Sequence, residues 1–303
     1  MLNISVAVTT YNGEKYIKEQ LSSIMNQIRS ADEVLIVDDA STDNTPEIIK
    51  NFIEENALTT WRLIENKENL GFIKNYRKAL SESAGDVICL CDQDDIWFED
   101  KLETISSVMA QNPQILALNT AFLIIDSDGT EKPASQKKNN YGLIDKLLKK
   151  RLEKISLVSE FHSNISPGCT MAVRKELSDS YVRLTNCNLP HDYEMNVMAA
   201  AKGGLYFYDA ALIKYRIHGD NLIGLQPKKA SRIEIAEERI ALAKAISNYA
   251  DKNKLLGACE HRLQALKEES LSKTLKLWLN KSYIKYFPFK ERIGDILYAM
   301  GRR

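Results

Sequence analysis

The chain has 303 residues, of which 44% are hydrophobic and 27% charged, so it can bury a sizeable core and its composition excludes an intrinsically disordered protein. Its 41 Lys and Arg residues balance 41 Asp and Glu residues, which argues against a strongly basic nucleic-acid-binding protein. The balance hides a segregation, because residues 1–110 contain 10 basic and 20 acidic residues and the remainder of the chain is correspondingly basic.

The first 125 residues alternate β-strand and α-helix patterns. Short apolar runs predict strands at 4–8, 34–37, 61–64 and 87–91, and apolar residues at helical spacing predict helices at 13–27, after a cap at Ser41 or Asp43, and at 71–83. Strands this apolar are typical of a parallel sheet covered on both faces. The order therefore predicts an α/β fold with a Rossmann-like, mostly parallel sheet flanked by helices.

The pattern loosens after residue 125. Residues 126–160 predict an excursion with a loop and a short helix near Leu143 to Leu152, followed by a strand at 169–173, a helix at 193–201 and an extended stretch at 205–215. From about Pro227 onward only helical spacing is found. We therefore expect one domain over residues 1–225 and a helical extension over residues 226–303.

The cysteines and the apolar runs favour a cytoplasmic protein. The five cysteines form no CxxC pair, which predicts neither a zinc site nor a disulfide framework. The first residues lack the basic region, apolar core and cleavage site of a signal peptide. The longest uncharged run, residues 108–125, is interrupted by polar residues and predicts a helix end and a buried strand rather than a membrane span.

Polar residues follow the predicted strands. Thr9 to Asn12 end the first strand, Asp38-Asp39 the second and Asp92 to Asp95 the fourth. Ligands bind beyond the carboxyl ends of strands in such sheets, and clustered carboxylates there suit Mg²⁺ or Mn²⁺ together with a diphosphate. The alternative is that these aspartates are helix N-caps, a role that fits Asp43 and Asp100.

Several motifs occur in the order found in one enzyme family. They are TTYNGEKYI, VDDASTDNT, NLGFIKN, CDQDDIW, SPGCTMAV, HDYEMN and YRIHG, and they extend over about residues 3–225. With them the chain resembles a family 2 glycosyltransferase with the GT-A fold. The forms CDQDDIW, GCTM and HD-aromatic are most similar to the rhamnosyltransferase-like branch, which builds bacterial surface polysaccharides.

The resemblance implies a nucleotide-sugar site and a divalent-metal site. The nucleotide-sugar residues would be Thr9, Tyr11, Asp39, Asn69, Lys74, Asp92 and Asp95. Within this set Asp39 would accept the imide N–H of the base, and Asp92 would approach the ribose. Asp94 would bind Mg²⁺ or Mn²⁺, and His218 would be a further metal ligand or phosphate contact. As a lone histidine, His218 is otherwise an ordinary surface or packed residue.

The resemblance also implies a catalytic base, Asp192, which would deprotonate the acceptor hydroxyl in a reaction that inverts the anomeric carbon. His191 stands where the commoner family pattern has Glu. Asp192 could alternatively cap the helix that follows it, and Glu194 is the second candidate for the base. Gly168 to Thr170 would line the acceptor or sugar pocket.

The expected partners are a nucleoside-diphosphate sugar, either dTDP-rhamnose or a UDP-sugar, and a glycan or lipid-linked acceptor, with no nucleic acid. A sugar-nucleotidyltransferase and a non-catalytic nucleotide-sugar-binding subunit are the alternatives. Residues 276–303 carry a net charge of +5 interleaved with aromatic residues. This pattern is typical of peripheral contact with the inner face of the cell membrane, but also of packing on the catalytic domain or on a second subunit of a homo-oligomer.

Overall fold

The computed structural model describes residues 2–132, 151–183, 189–219, 230–249 and 253–301, and within these ranges the chain forms one mixed β-sheet flanked by helices. The strands are β1 (Ile4–Thr10), β2 (Glu33–Asp38), β3 (Trp61–Glu65), β4 (Val87–Cys91), β5 (Ile96–Trp97), β6 (Ala117–Ile125), β7 (Leu152–Lys154), β8 (Met171–Arg174) and β9 (Leu205–Arg216). The helices are α1 (Ile17–Met25), α2 (Thr45–Glu55), α3 (Phe72–Glu82), α4 (Lys101–Gln111), α5 (Leu157–Glu160), α6 (Lys175–Val182), α7 (His191–Ala201), α8 (Arg232–Ala245), α9 (Asn253–Lys267), α10 (Leu271–Leu277), α11 (Lys281–Tyr286) and α12 (Phe289–Ala299).

The sheet has the strand order β3-β2-β1-β4-β8-β6-β9-β5, with β7 paired to β9. The half built from β3, β2, β1 and β4 is parallel throughout. Residues 34–37 and 87–91 are completely buried because helices cover both faces of this half. The predicted α/β class, with a mostly parallel sheet between helices, is confirmed.

The second half of the sheet mixes strand directions. β8 lies antiparallel between β4 and β6, β9 runs parallel to β6, and the short strands β5 and β7 are antiparallel to β9. The predicted helix near Leu143 to Leu152 falls largely on residues 133–150, which lie outside the described residues. Its last residue, Leu152, begins β7 instead.

The predicted caps of α2 differ from those observed. Asn44 occupies the N-cap position without a side-chain cap bond. Asp43 accepts hydrogen bonds from the backbone and side chain of Thr45, whereas Ser41 donates its hydroxyl to Asp38 over 2.6 Å. These loop aspartates therefore hold the turn between β2 and α2 rather than the helix end itself.

Helices α8 to α11 share a hydrophobic cluster with the sheet and with α5 and α7. Helix α12 is joined to them by polar contacts. Asp295 of α12 is buried and accepts hydrogen bonds from Arg262 at 2.8 and 3.0 Å, from Arg232 at 2.9 Å and from the Tyr283 hydroxyl at 2.7 Å. Residues 220–229, around the predicted boundary at 225/226, lie outside the described residues. In the described part of the chain no helix is long and apolar enough to cross a membrane.

Glu291 connects α12 to the segment after α5. Its carboxylate lies 2.7 Å from Nδ1 of His162 and 2.8 Å from Arg262. Burial opposes ionisation, but the hydrogen bond from His162 and the charge of Arg262 outweigh it and lower the pKa of Glu291 from 4.5 to about 2. The ionised carboxylate therefore stabilises the folded state above pH 4.5.

We expect this stabilisation to be lost as the pH falls from 4.5 towards 2, because the unfolded chain takes up the proton first. The free energy of unfolding of a Glu291→Gln variant should consequently change less over this interval than that of the unmodified chain. Urea unfolding at several pH values between 2 and 4.5 measures the free energy of unfolding of both proteins. Parallel pH profiles for the two proteins would contradict the assignment.

Candidate active site

The loop after β1 is clamped to the acidic loop after β4. The backbone N–H of Tyr11 donates to Oε1 of Gln93 over 2.7 Å, and the Gln93 amide donates back to the Tyr11 carbonyl over 3.0 Å. The ring of Tyr11 remains exposed, and Thr9 hydrogen-bonds the phenol of Tyr76. Thr9 and Tyr11 thus lie at the same sheet edge, with an exposed ring available to a ligand.

Asp39 is buried at the end of β2 and organises the segment before α3. Its Oδ1 accepts hydrogen bonds from the Asn66 amide and the backbone N–H of Leu70, both over 2.8 Å, and its Oδ2 accepts the N–H of Gly71 over 2.9 Å. The carboxylate therefore shapes this segment whether or not it also contacts a base. Asn69 is exposed beside it and accepts the N–H of Gly71 over 3.0 Å.

Lys74 follows in the first turn of α3, where its side chain is exposed. Asn69 and Lys74 are therefore exposed positions around the start of α3, whereas Asp95 after β4 is buried.

Three carboxylates follow β4 in close succession. Asp92 accepts the hydroxyl of Tyr76 over 2.5 Å, and Asp95 accepts the backbone N–H of Arg216 over 3.0 Å at Oδ1. The Oδ2 atom of Asp95 is buried and has no hydrogen-bond partner among the described residues. One ligand atom from each of Asp92, Asp95 and Cys169 lies within 4.8 Å of the other two.

Asp94 faces the end of β9. Its Oδ2 lies 2.8 Å from Nε2 of His218, so the structure brings together the two residues predicted as metal ligands. The His218 ring also packs on Tyr16 with a centroid distance of 4.9 Å. His218 is therefore a partly buried residue of the site rather than a surface histidine.

Arg216, which the sequence did not single out, holds the acidic loop in place. Its buried guanidinium donates to the Asp94 carbonyl over 2.7 Å, forms an ion pair with Glu19 and lies 4.6 Å from the centre of the Tyr16 ring. Because a cation here offsets the charge of the carboxylates, Arg216 stabilises their clustering. Only its place in the YRIHG motif, two residues before His218, could have pointed to it.

Asp192 lies in the first turn of α7 and is buried. Its Oδ2 accepts the amide of Asn164 over 2.8 Å, Asn164 in turn accepts the amide of Asn196 over 3.1 Å, and Asn196 accepts the amide of Asn119 over 2.8 Å. Pro190 occupies the N-cap position, and no side chain caps this helix. Asp192 therefore belongs to a buried amide network and does not serve as the helix cap.

His191 connects Asp192 to the carboxylates after β4. Its ring stacks on Tyr76 with a centroid distance of 3.8 Å, and Tyr76 donates to Asp92. A Cβ atom at Gly168 would lie 2.7 Å from Nε2 of His191, so glycine is required where the segment before β8 meets the ring. Burial lowers the pKa of His191 to about 4, and the imidazole is neutral at pH 7.

Burial and mutual repulsion perturb the acidic groups. Burial followed by the charge of Asp94 raises the pKa of Asp92 to about 6, and the charge of Asp192 adds to this. Burial, followed by the charges of Asp94 and Asp92, also raises the pKa of Asp95 well above its usual value. Burial also raises the pKa of the Cys169 thiol, which stays protonated at pH 7 and is no nucleophile.

These residues fit a hard divalent cation. Carboxylate oxygens are the ligands that Mg²⁺ and Mn²⁺ prefer, and a positive ion would relieve the repulsion that raises the pKa values of Asp92 and Asp95. The buried Oδ2 of Asp95, which lacks a hydrogen-bond donor among the described residues, is an available ligand atom. A protonated thiol is a poor ligand for such an ion, so Cys169 would line the pocket instead.

The Glycosyl transferase family 2 model matches residues 5–181. A Haemophilus influenzae protein described as an uncharacterized glycosyltransferase is 31% identical over 222 residues, which are 72% of this chain and 66% of that protein. The dTDP-rhamnosyl transferase RfbG of Shigella flexneri is 28% identical over 233 residues, 72% of this chain and 73% of its own length. The chain thus spans about two thirds of the first relative.

Solved structures share the fold at lower sequence identity. S. aureus TarS 1–349 in complex with UDP superimposes with a TM-score of 0.62 and 20% identity, covering 99% of this chain and 87% of that chain. The mannosyltransferase PcManGT from Pyrobaculum calidifontis, in complex with GDP-Man and Mn²⁺, gives a TM-score of 0.56 at 20% identity, covering 99% of this chain and 86% of that one.

Proposed function

Because the chain belongs to glycosyl transferase family 2, we propose that it transfers a sugar from a nucleoside-diphosphate sugar to a hydroxyl group of a glycan or lipid-linked acceptor, with inversion at the anomeric carbon. The observation that carries this proposal is the convergence of three further carboxylates on Asp92. Asp92 accepts the hydroxyl of Tyr76, which stacks on His191, it is close enough to Asp94 and Asp192 for their charges to raise its pKa, and it is grouped with Asp95. In this proposal the donor site and the catalytic base, Asp192, belong to one cluster.

Thr9, Tyr11 and Asp39 are proposed to bind the nucleotide base of the donor. Asp92 and Asp95 are proposed to bind its ribose and its sugar. The exposed Tyr11 ring offers a stacking surface, and Asn69 and Lys74 would contact the nucleotide from the border of the site. The RfbG relative favours dTDP-rhamnose as donor, and the UDP complex of TarS favours a UDP-sugar. Synthesis of bacterial surface polysaccharide in the cytoplasm fits either donor.

Asp94 is proposed to hold a Mg²⁺ or Mn²⁺ ion, with His218 and the neighbouring carboxylates as candidate further ligands. When bound, such an ion neutralises the charge on the leaving diphosphate. PcManGT, which shares this fold and is in complex with GDP-Man and Mn²⁺, supports the use of a divalent ion. Arg216 holds the acidic loop after β4 through the Asp94 carbonyl and does not need to contact the substrate.

Asp192 is proposed to take the proton from the acceptor hydroxyl as the oxygen attacks the anomeric carbon. The Asn164 amide, which donates to Oδ2 over 2.8 Å, orients the carboxylate and leaves Oδ1 for the acceptor. Glu194 lies two residues further along, in the same first turn of α7, and is the second candidate.

Purified protein incubated with dTDP-rhamnose, UDP-glucose, UDP-N-acetylglucosamine and GDP-mannose tests the function. We expect release of nucleoside diphosphate from one donor in the presence of Mg²⁺ or Mn²⁺, increased by an acceptor extract. Release of pyrophosphate from a sugar phosphate and a nucleoside triphosphate would indicate a nucleotidyltransferase instead. Binding of a donor without turnover under any condition would indicate the non-catalytic subunit.

An Asp94→Asn substitution should weaken Mn²⁺ binding by about 10- to 100-fold or more, because it removes the negative charge of a proposed ligand. Isothermal titration of the protein with Mn²⁺ measures this without any substrate. Asp100, which stands at the start of α4 without a side-chain cap bond, offers the matched control Asp100→Asn. Equal Mn²⁺ affinity of the two variants would remove Asp94 from the metal site.

A further inference from the structure

Exposed apolar side chains are concentrated in the last three helices. Ten large hydrophobic side chains are exposed among the described residues, and eight of them belong to residues 271–300. The eight are Leu271, Leu275, Leu279, Ile284, Phe289, Ile293, Leu297 and Met300. A concentration of this kind marks a surface that binds something apolar.

The spacing of these residues puts most of them on two helix stripes. Leu271, Leu275 and Leu279 follow one another at intervals of four along α10 and the turn after it, and Phe289, Ile293 and Leu297 do the same along α12. Residues four apart lie on one side of a helix. The pattern therefore gives each helix one apolar, solvent-exposed side.

The two stripes belong to one surface. Helix α10 packs against α12, and the ring of Trp278, just before Leu279, lies 5.9 Å from the ring of Phe289. The guanidinium of Arg292 lies over both rings, at 4.9 and 5.6 Å from their centres. We call this surface, formed by both stripes, the apolar face.

The charges around the apolar face are positive. Both acidic residues of the segment 271–301 point inward, since Glu291 bonds His162 and Arg262 and the side chain of Asp295 is only 1% exposed. Four lysines of the same segment are exposed, namely Lys276, Lys281, Lys285 and Lys290. Within residues 271–301 this surface therefore shows four exposed lysines and no exposed carboxylate, and the exposed Glu268 that precedes it is paired with Lys273.

We propose that the apolar face and these four lysines bind the surface of an anionic phospholipid bilayer. Leu279 and Phe289, which are 84% and 63% exposed, would enter the acyl boundary while the lysines contact the lipid phosphates. A second copy of the chain fits less well, because a symmetric contact would bring two sets of lysines together.

This surface differs from the one expected from the sequence. The aromatic residues Tyr283, Tyr286 and Phe287 are buried, and the ring of Phe287 lies 6.3 Å from that of Phe161, which directly follows α5. Leucine and isoleucine side chains on the opposite sides of α10 and α12 provide the exposed apolar area instead. Only Phe289 of the expected aromatics is strongly exposed.

Sedimentation of the full chain with vesicles tests the proposal without any sugar donor, so the result is independent of the transfer activity. We expect binding to vesicles of phosphatidylcholine with phosphatidylglycerol, weak binding to phosphatidylcholine alone, and weakening by salt. A Leu279→Ser/Phe289→Ser variant should lose binding. Ile28→Ser, at a 65% exposed position in the N-terminal half, is the matched control and should bind like the unmodified chain.

Neutralising two lysines, as in Lys276→Gln/Lys285→Gln, should weaken binding to the anionic vesicles by about tenfold or more, whereas Lys67→Gln should not. Circular dichroism checks that each variant is folded. Absence of binding to anionic vesicles, or unchanged binding by the Leu279/Phe289 variant, would overturn the proposal. A third result would also overturn it, namely a dimer of the unmodified chain that does not bind vesicles and that the Leu279→Ser/Phe289→Ser substitutions dissociate. The apolar face would then be a contact between two copies of the chain.

Discussion

An Asp192→Asn variant is expected to transfer sugar about 10²- to 10⁴-fold more slowly than the unmodified chain while remaining folded. The asparagine keeps the shape and can still accept the hydrogen bond of Asn164, but it cannot take a proton from the acceptor. Because the change acts on proton transfer, it should lower kcat and leave donor binding nearly intact. Initial rates with saturating donor and acceptor measure kcat, and titration with the nucleoside diphosphate measures the binding of the donor nucleotide.

Glu194→Gln is the matched control, since Glu194 is a buried carboxylate in the first turn of the same helix. It should retain most of the activity. The opposite ranking, with an active Asp192→Asn and an inactive Glu194→Gln, would assign the base to Glu194. Asn164→Ala should fall between them, because a hydrogen bond to a charged group contributes about 1.5–3 kcal/mol, which corresponds to about 10- to 100-fold in rate if it is lost only in the transition state.

An Asp295→Asn variant is expected to lose about 3–5 kcal/mol of unfolding free energy, the usual cost of removing one partner from a buried ion pair. The reason is that Arg262 is 1% exposed and would remain buried with Glu291 as its one ionic partner among the described residues, while Arg232 and Tyr283 lose a charged acceptor. Urea unfolding at neutral pH measures the difference.

Glu65→Gln provides the comparison for this second variant. Its partner Lys50 lies 2.7 Å away, but both side chains are about half exposed, so little stability should depend on the pair. If Asp295→Asn unfolds at the same urea concentration as Glu65→Gln, the buried cluster does not hold the C-terminal helices. A transition in two steps for Asp295→Asn would show that these helices detach before the sheet unfolds.

The first four strands could be predicted because the signals for them are local. The apolar runs at 34–37 and 87–91 are completely buried, and a run of this kind requires cover on both faces wherever it lies in the sheet. The aspartates that follow these strands could also be assigned to one sheet edge, because the carboxyl ends of neighbouring parallel strands meet at the same edge. The direction of β8 could not be predicted, because a four-residue strand has the same pattern in either direction.

The partners of the site residues depended on contacts between distant parts of the chain. Arg216 reaches Asp94 across 122 residues, and Asn119 joins the network of Asp192 through Asn196 across 77 residues. No periodicity or spacing contains such information. The contacts of both residues could be identified only once the sheet had brought β6, β9 and the acidic loop side by side.

In the C-terminal helices the sequence determines the net charge, whereas the tertiary structure determines which charges are exposed. The sequence alone determined that the end of the chain is basic and rich in aromatic residues, because composition does not depend on folding. Only the tertiary structure decided that Glu291 and Asp295 are neutralised inside by Arg262 while the exposed lysines remain outside. The physical reason is that a buried carboxylate needs a cation nearby, and packing alone determines which acidic residues are buried.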